Sequence, residues 1–119
     1  MSRADELVVV EQTDNGACIA RLVPSNVLDE LQITGIGRQL TDLVDQGARR
    51  LVVDFSRVDH LSSSALGMLI TVRQGLSQVK GDMRLCNIRP EIYEVFKITG
   101  LDKLFVIQPT VTEALASLR

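Results

Sequence analysis

The chain is poor in aromatic residues, histidine and cysteine, and these shortages exclude several classes of protein. Its 119 residues include no Trp, one Tyr, three Phe and one His, so aliphatic side chains must fill the core. The two cysteines, Cys18 and Cys86, lie in apolar segments without the spacing of metal ligands. We therefore predict two buried free thiols in a reducing compartment, and no metal site.

Excess basic charge and long apolar runs are also missing. The chain has 13 Lys and Arg residues against 15 Asp and Glu, which gives a net charge of −2. It therefore has no surplus of cations with which to hold nucleic acid by its phosphates. No apolar run approaches the roughly 18 residues of a membrane-spanning helix, and the N-terminal residues do not resemble a signal peptide. We expect a cytoplasmic protein that does not insert into a membrane.

The sequence contains enough hydrophobic residues to form the core of one domain. Hydrophobic residues make up 45% of the sequence, and a chain of this length buries about two-thirds of its unfolded surface when it folds. No repeat, linker or low-complexity segment divides the chain. We therefore predict that residues 1–119 form a single domain.

The pattern of apolar residues predicts strands that alternate with helices. Two short runs rich in apolar residues, the first of them β-branched at its start, flank the turn signal Asp14-Asn15-Gly16 and predict a hairpin. The predicted strands are 7–13, 17–23, 51–55, 83–86 and 104–107. The predicted helices are 29–46, a helix that follows the serine triplet 62–64, a helix that begins at Pro90, and 111–118. This order predicts an α/β fold, with a mixed, mostly parallel sheet of about four to five strands and about four helices packed on it.

Apolar stripes predict the buried face of each helix. In the helix after the serines, apolar residues recur at spacings of four and three, at Ala65, Leu69, Val72, Leu76 and Val79. In the helix that begins at Pro90, the predicted apolar side consists of Ile92, Val95, Phe96 and Ile98. Gly35 and Gly37 weaken the predicted first turn of the helix at 29–46.

Residues that could carry out catalysis are sparse. His60 is the only histidine, and the neighbouring serines are too close to it in the chain for a Ser-His-acid triad. Neither a G-x-S-x-G elbow nor a glycine-rich phosphate loop is present. Asp54 and Asp59 could act as a pair only if the fold brought them together. We expect no enzyme, and therefore no catalytic residue and no cofactor.

The serine triplet allows two interpretations. Ser62 or Ser63 can cap the following helix through its hydroxyl, and we predict Ser62 as the cap. A cap explains one serine and leaves the others unexplained. A phosphate on a serine in the first turn would be favoured by the positive end of the helix. It would also add about −1.5 to −2 charges to any docking surface there, as a reversible switch requires.

Two segments resemble the signatures of one family. Residues 49–70, "RRLVVDFSRVDHLSSSALGMLI", resemble the central signature of STAS domains, the sulphate transporter and anti-sigma factor antagonist family. In that signature a strand ends in Asp-Leu/Phe-Ser, and Asp-Ser-Ser-Gly-Leu-Gly then opens a helix. Residues 85–107, "LCNIRPEIYEVFKITGLDKLFVI", resemble the second signature, a strand followed by a Pro-started helix that closes in Thr-Gly-Leu. The resemblance extends over about residues 7–118 and implies a single STAS domain.

The resemblance implies a function and a modified residue. A stand-alone STAS domain of this size is similar to bacterial anti-sigma factor antagonists, which an anti-sigma factor serine kinase phosphorylates and a phosphatase resets. Ser62 takes the place of the family's Asp, Ser63 and Ser64 take the places of its two serines, and Ala65 takes the place of its Gly. In members of the family the kinase phosphorylates the second of these two serines, so the implied phosphorylation site is Ser64. Ser63 is the alternative.

The resemblance also implies a partner surface at the start of the helix, with part of the 29–46 helix as an extension. The implied residues are Asp59, His60, Ser62, Ser63, Ser64, Ala65 and Gly67. An alternative function remains open, that of a constitutive accessory subunit of a membrane transporter, which would not be phosphorylated.

Overall fold

A five-stranded mixed sheet forms the centre of the computed structural model, which describes residues 6–13 and 16–118. In chain order its strands are β1 (Val8–Gln12), β2 (Cys18–Leu22), β4 (Arg50–Asp54), β6 (Asp82–Cys86) and β7 (Val106–Gln108). They lie side by side in that order, with β1 antiparallel to β2 and every other pair parallel. The helices are α1 (Glu30–Asp45), α2 (Ser63–Gln78), α3 (Pro90–Thr99) and α4 (Val111–Ser117). The predicted fold class is confirmed. The predicted turn residues Asp14 and Asn15 lie outside the described residues.

A short parallel pair of strands, β3 (Asn26–Val27) and β5 (His60–Leu61), was not predicted. Strands of two residues have no periodicity by which a sequence could reveal them. The pair leads directly into α1 and α2, and the N–H of Ser62 extends it by donating to the carbonyl oxygen of Val27 at 3.1 Å. It therefore places the N-terminal ends of α1 and α2 next to each other.

Helices cover both faces of the sheet, as the apolar run at 51–55 indicated. The larger core lies beneath α1, α2 and α3 and includes Leu51 and Val53, while Val52 faces α4 on the opposite side. Cys18 and Cys86 are buried and free, as predicted. Among the described residues, no helix has both the length and the apolar character needed to cross a membrane.

Helix α1 is regular from its first turn, although two glycines lie in its N-terminal half. Oδ1 of Asp29 accepts a hydrogen bond from the N–H of Leu31 at 2.7 Å and so caps the helix. At Gly37, an added methyl group would lie only 2.8 Å from Cγ of Met68 in α2. This glycine therefore allows the close packing of α1 against α2 that fixes their relative position.

Three residues predicted to be buried are exposed, and one strand is shifted. In α3, Ile92 and Phe96 face the core, whereas Val95 and Ile98 are 41% and 82% exposed. Residues 92 and 96 lie four apart on one face of the helix, and residues 95 and 98 project from other sides. Val79 follows the end of α2 and is also exposed. The last strand begins two residues later than predicted, because the N–H groups of Leu104 and Phe105 still donate to the carbonyl oxygen of Leu101 in the turn that follows the 3₁₀ segment Leu101–Lys103.

Candidate functional site

The start of α2 separates the roles of the three serines. Ser62 has an extended backbone and is the N-cap residue, as predicted. Its Oγ accepts a hydrogen bond from the N–H of Ala65 at 3.3 Å. The same N–H also donates to the carbonyl oxygen of Ser62 at 3.1 Å, so the hydroxyl is a second acceptor at the helix start. The first serine thus has a structural role that leaves the other two available.

Ser63 and Ser64 occupy the first two positions of the 16-residue helix, and both are exposed. Within the described part of the chain, neither hydroxyl has a hydrogen-bond partner. Their backbone N–H groups belong to the first turn, where the helix itself supplies no acceptor. An anion attached at this position would lie close to free N–H groups and to the positive end of the helix dipole.

Ala65 does not belong to the exposed surface, contrary to its place in the predicted partner surface. Its side chain is fully buried in the main core, because the third helical position faces the sheet. Its methyl group therefore cannot obstruct access to the neighbouring Ser64. Gly67, by contrast, is exposed, and a methyl group added there would meet no other atom within 4 Å.

The loop that precedes α2 is held in place by backbone and side-chain contacts. The N–H groups of Asp59 and His60 both donate to the carbonyl oxygen of Ser25, at 2.7 and 3.1 Å. Oδ1 of Asp59 lies 3.1 Å from a guanidinium nitrogen of Arg89 at the start of α3. Nδ1 of His60 lies 2.8 Å from Oδ1 of Asn26 in β3. Asp59 and His60 are thus exposed on a segment whose backbone is fixed.

Asp54 has its own set of partners and does not form a pair with Asp59. Its buried carboxylate accepts hydrogen bonds from Nε of Arg21 at 2.7 Å, Nδ2 of Asn87 at 2.9 Å and the N–H of Ser56 at 3.0 Å. Burial alone would raise the pKa of the Asp54 carboxyl group. The hydrogen bonds from Asn87, Arg21 and Ser56 outweigh burial and lower this pKa below its ordinary value. Asp54 therefore ties β4 to β2 and to the end of β6.

The arrangement around the serines favours binding over nucleophilic chemistry. His60, at the end of the loop, faces Asn26 and not a serine hydroxyl. Burial, with the charge of Asp54 as a further cause, raises the pKa of the Cys86 thiol to about 12, so the thiol stays protonated at neutral pH. Within the described residues, no group of three His, Cys, Asp or Glu side chains could hold a metal ion.

Comparisons with known proteins agree on one family. The family model described as the STAS domain matches residues 9–114. BtrV of Bordetella bronchiseptica, which is named as an anti-sigma factor antagonist, is 35% identical over 91 residues, 76% of this chain and 74% of BtrV. An anti-sigma factor antagonist from Mycobacterium paratuberculosis has a similar crystal structure, with a TM-score of 0.82, 27% identity and coverage of 100% of this chain and 99% of that one.

The phosphorylated form of the Bacillus cell fate determinant SpoIIAA has the same fold. Its TM-score is 0.70 at 24% identity, with coverage of 94% of this chain and 99% of that chain. At this identity the likeness concerns the fold alone. The chain thus shares its architecture with proteins from several bacterial lineages and shares recognisable sequence with some of them.

Proposed function

Because the chain belongs to the STAS domain family, we propose that it antagonises an anti-sigma factor by binding it and that phosphorylation of Ser64 ends the binding. The observation that carries this proposal is the environment of Ser64. Its hydroxyl is exposed at the second position of a long helix, and the cap is provided by a different residue, Ser62. A kinase can therefore modify Ser64 without removing the hydrogen bond that holds the helix start.

The physical basis of the switch is a change of surface with no change of fold. A phosphate on Ser64 is compatible with α2, since anions are favoured at helix N-termini. It nevertheless places about −1.5 to −2 charges and three strong acceptor oxygens on a side chain that is uncharged before modification. A partner surface that fits the unmodified serine would have to bury that charge. Burial of a charge without a counterion has a large desolvation cost, which weakens the complex.

The two departures from the family signature are compatible with this switch. Ser62 caps the helix as the family's Asp could, but it adds no carboxylate beside the phosphate on Ser64. The phosphate therefore experiences the positive helix end without a neighbouring negative charge at the cap. Ala65 is buried, so its additional methyl group, relative to the family's Gly, lies away from an approaching kinase.

The partners follow from this mechanism. One is an anti-sigma factor that is itself a serine kinase, and the other is a phosphatase that removes the phosphate, both in the cytoplasm. The chain acts by binding and performs no catalysis. Its docking surface consists of the loop Asp59–His60, the exposed serines Ser63 and Ser64, and Gly67.

The experiment that tests the proposal measures binding to the purified anti-sigma factor kinase encoded in the same genome. Isothermal titration calorimetry should give wild-type affinity for Ser64→Ala and a loss of roughly 100-fold for Ser64→Asp, because the added carboxylate mimics part of the phosphate charge. Ser63→Asp adds the same charge one residue earlier on the docking surface, and it should weaken binding less than Ser64→Asp does.

Three results would count against the proposal. Wild-type affinity of Ser64→Asp would contradict the switch and would fit a constitutive transporter subunit. A loss with Ser63→Asp alone would move the site to Ser63. Absence of binding by the wild-type protein would remove the antagonist function.

A further inference from the structure

A small apolar groove lies beside the proposed switch. Its floor is formed by Leu28 after β3, Leu61 in β5, and Ile92 and Val95 in α3, and its volume is about 250 Å³. Leu28 and Val95 are 52% and 41% exposed. Pockets for drug-sized ligands usually measure about 300–1,000 Å³, so this groove fits one or two side chains of another protein better than a metabolite.

The mouth of the groove is acidic. Asp59 and Glu91 line it, and both are paired with a single cation, Arg89, at 3.1 and 3.7 Å. The two carboxylates outnumber this one guanidinium, so the mouth carries an excess of negative charge. A complementary partner segment carries Arg or Lys.

The groove is continuous with the switch surface. Leu61 forms part of the groove and immediately precedes the cap residue Ser62, and Ser64 follows three residues after Leu61. At about 3.3 Å for each residue of extended chain, this separation is at most about 10 Å. A protein that covers Ser64 therefore reaches the groove as well.

We propose that this groove receives an apolar side chain, flanked by Arg or Lys, from the anti-sigma factor kinase. The inference rests on the proposed function for the identity of the partner. Apolar anchors in pockets dominate the affinity of many interfaces, and the acidic mouth selects for a basic neighbour. Since the groove is separate from the Ser64 hydroxyl, it serves to dock the kinase and takes no part in phosphate transfer.

The first test measures phosphorylation of this chain by the purified anti-sigma factor kinase from the same genome. Val95→Ser and Leu28→Ser should each raise KM about tenfold and leave kcat within about twofold, because they remove docking contacts only. Val106→Ser is the matched control, since Val106 is 42% exposed on the edge strand β7, and it should leave both constants unchanged. Wild-type KM in both groove variants would overturn the inference while the proposed function stands.

The second test examines the chemistry of the groove without the kinase. In a nuclear magnetic resonance titration, N-acetyl-Leu-Arg-amide should shift the amide signals of Leu61, Ile92 and Val95. N-acetyl-Leu-Glu-amide should produce shifts at least about threefold smaller, because its carboxylate meets the acidic mouth. Equal shifts with both dipeptides, or no shift at these residues, would overturn the inference. If the kinase fails to phosphorylate wild-type protein, the proposed function fails and this titration still decides the nature of the groove.

Discussion

At the scale of single residues, the three consecutive serines at the start of α2 differ in their environment. Ser62 holds the helix start with its hydroxyl, whereas the hydroxyls of Ser63 and Ser64 face solvent. The sequence predicted both a capping serine and an exposed one, because capping and anion binding follow from known helix chemistry. The apolar stripe of α2 also predicted a buried Ala65, and the structure confirms its burial, whereas the family resemblance placed Ala65 in the partner surface.

Removal of the cap hydroxyl should destabilise the protein. We expect Ser62→Ala to lower the free energy of unfolding by about 1 kcal/mol, because the N–H of Ala65 loses its side-chain acceptor and keeps only the carbonyl oxygen of Ser62. Ser62→Asp should retain the stability, since a carboxylate caps equally well and also favours the positive helix end. Urea denaturation measures the free energy of unfolding of both variants. Ser63→Ala is the control, and its free energy of unfolding should lie within about 0.5 kcal/mol of wild type. Equal stability of Ser62→Ala and wild type would show that the cap contributes nothing.

Asp54 should make stability depend on pH in the acid range. Its pKa in the folded protein is lowered, so its charged form stabilises the fold above the ordinary aspartate pKa of about 3.9. That stabilisation is lost as the pH falls through the lowered folded value. We expect Asp54→Asn to cost about 2 kcal/mol at pH 7 and to differ less from wild type at pH 3. Urea denaturation at the two pH values tests this, and a constant difference would contradict the assignment.

At the scale of secondary-structure elements, the sequence predicted the helices and strands whose apolar residues form a recognisable pattern. The stripe on α2 and the apolar run of β4 appear in the structure at nearly the expected residues. The pair of β3 and β5 escaped prediction because each strand has two residues and is held by its partner, with no pattern of its own. This pair positions the N-terminal ends of α1 and α2 and contributes one wall of the groove. The element that the sequence did not predict is therefore one that builds the candidate site.

Helix α3 shows a second limit of prediction from sequence patterns. Its four apolar residues suggested one buried side, yet Val95 and Ile98 are exposed. A sequence shows that a side chain is apolar but cannot show whether the molecule itself or a partner covers it. The groove between β5 and α3 was therefore beyond the reach of sequence patterns.

Two glycines in α2 provide a matched test of where a partner approaches. At Gly67 and Gly75, an added methyl group would meet no atom within 4 Å, so Gly→Ala at either position should stabilise the helix by up to about 1 kcal/mol. Only Gly67 lies one turn from Ser63 and Ser64. We expect Gly67→Ala to weaken binding to the anti-sigma factor kinase, measured by calorimetry, and Gly75→Ala to leave it unchanged. Equal effects on binding would remove Gly67 from the docking surface.

At the scale of the whole molecule, the core and the proposed switch residue are located in different places. The core lies on both faces of the sheet and includes Ala65 but neither of the exposed serines. Charge added at Ser64 therefore changes the surface and spares the packing. Ser64→Asp should accordingly unfold at nearly the same urea concentration as wild type, which ensures that its loss of binding reports on the interface.

Phosphopeptide mapping shows whether Ser64 is the residue that the anti-sigma factor kinase modifies. Wild-type protein is incubated with the anti-sigma factor kinase and ATP, and the modified residue is located by mass spectrometry after digestion. We expect one phosphate on Ser64 and none in the Ser64→Ala variant. Phosphate on Ser63 alone, or equal phosphorylation of wild type and Ser64→Ala, would contradict it.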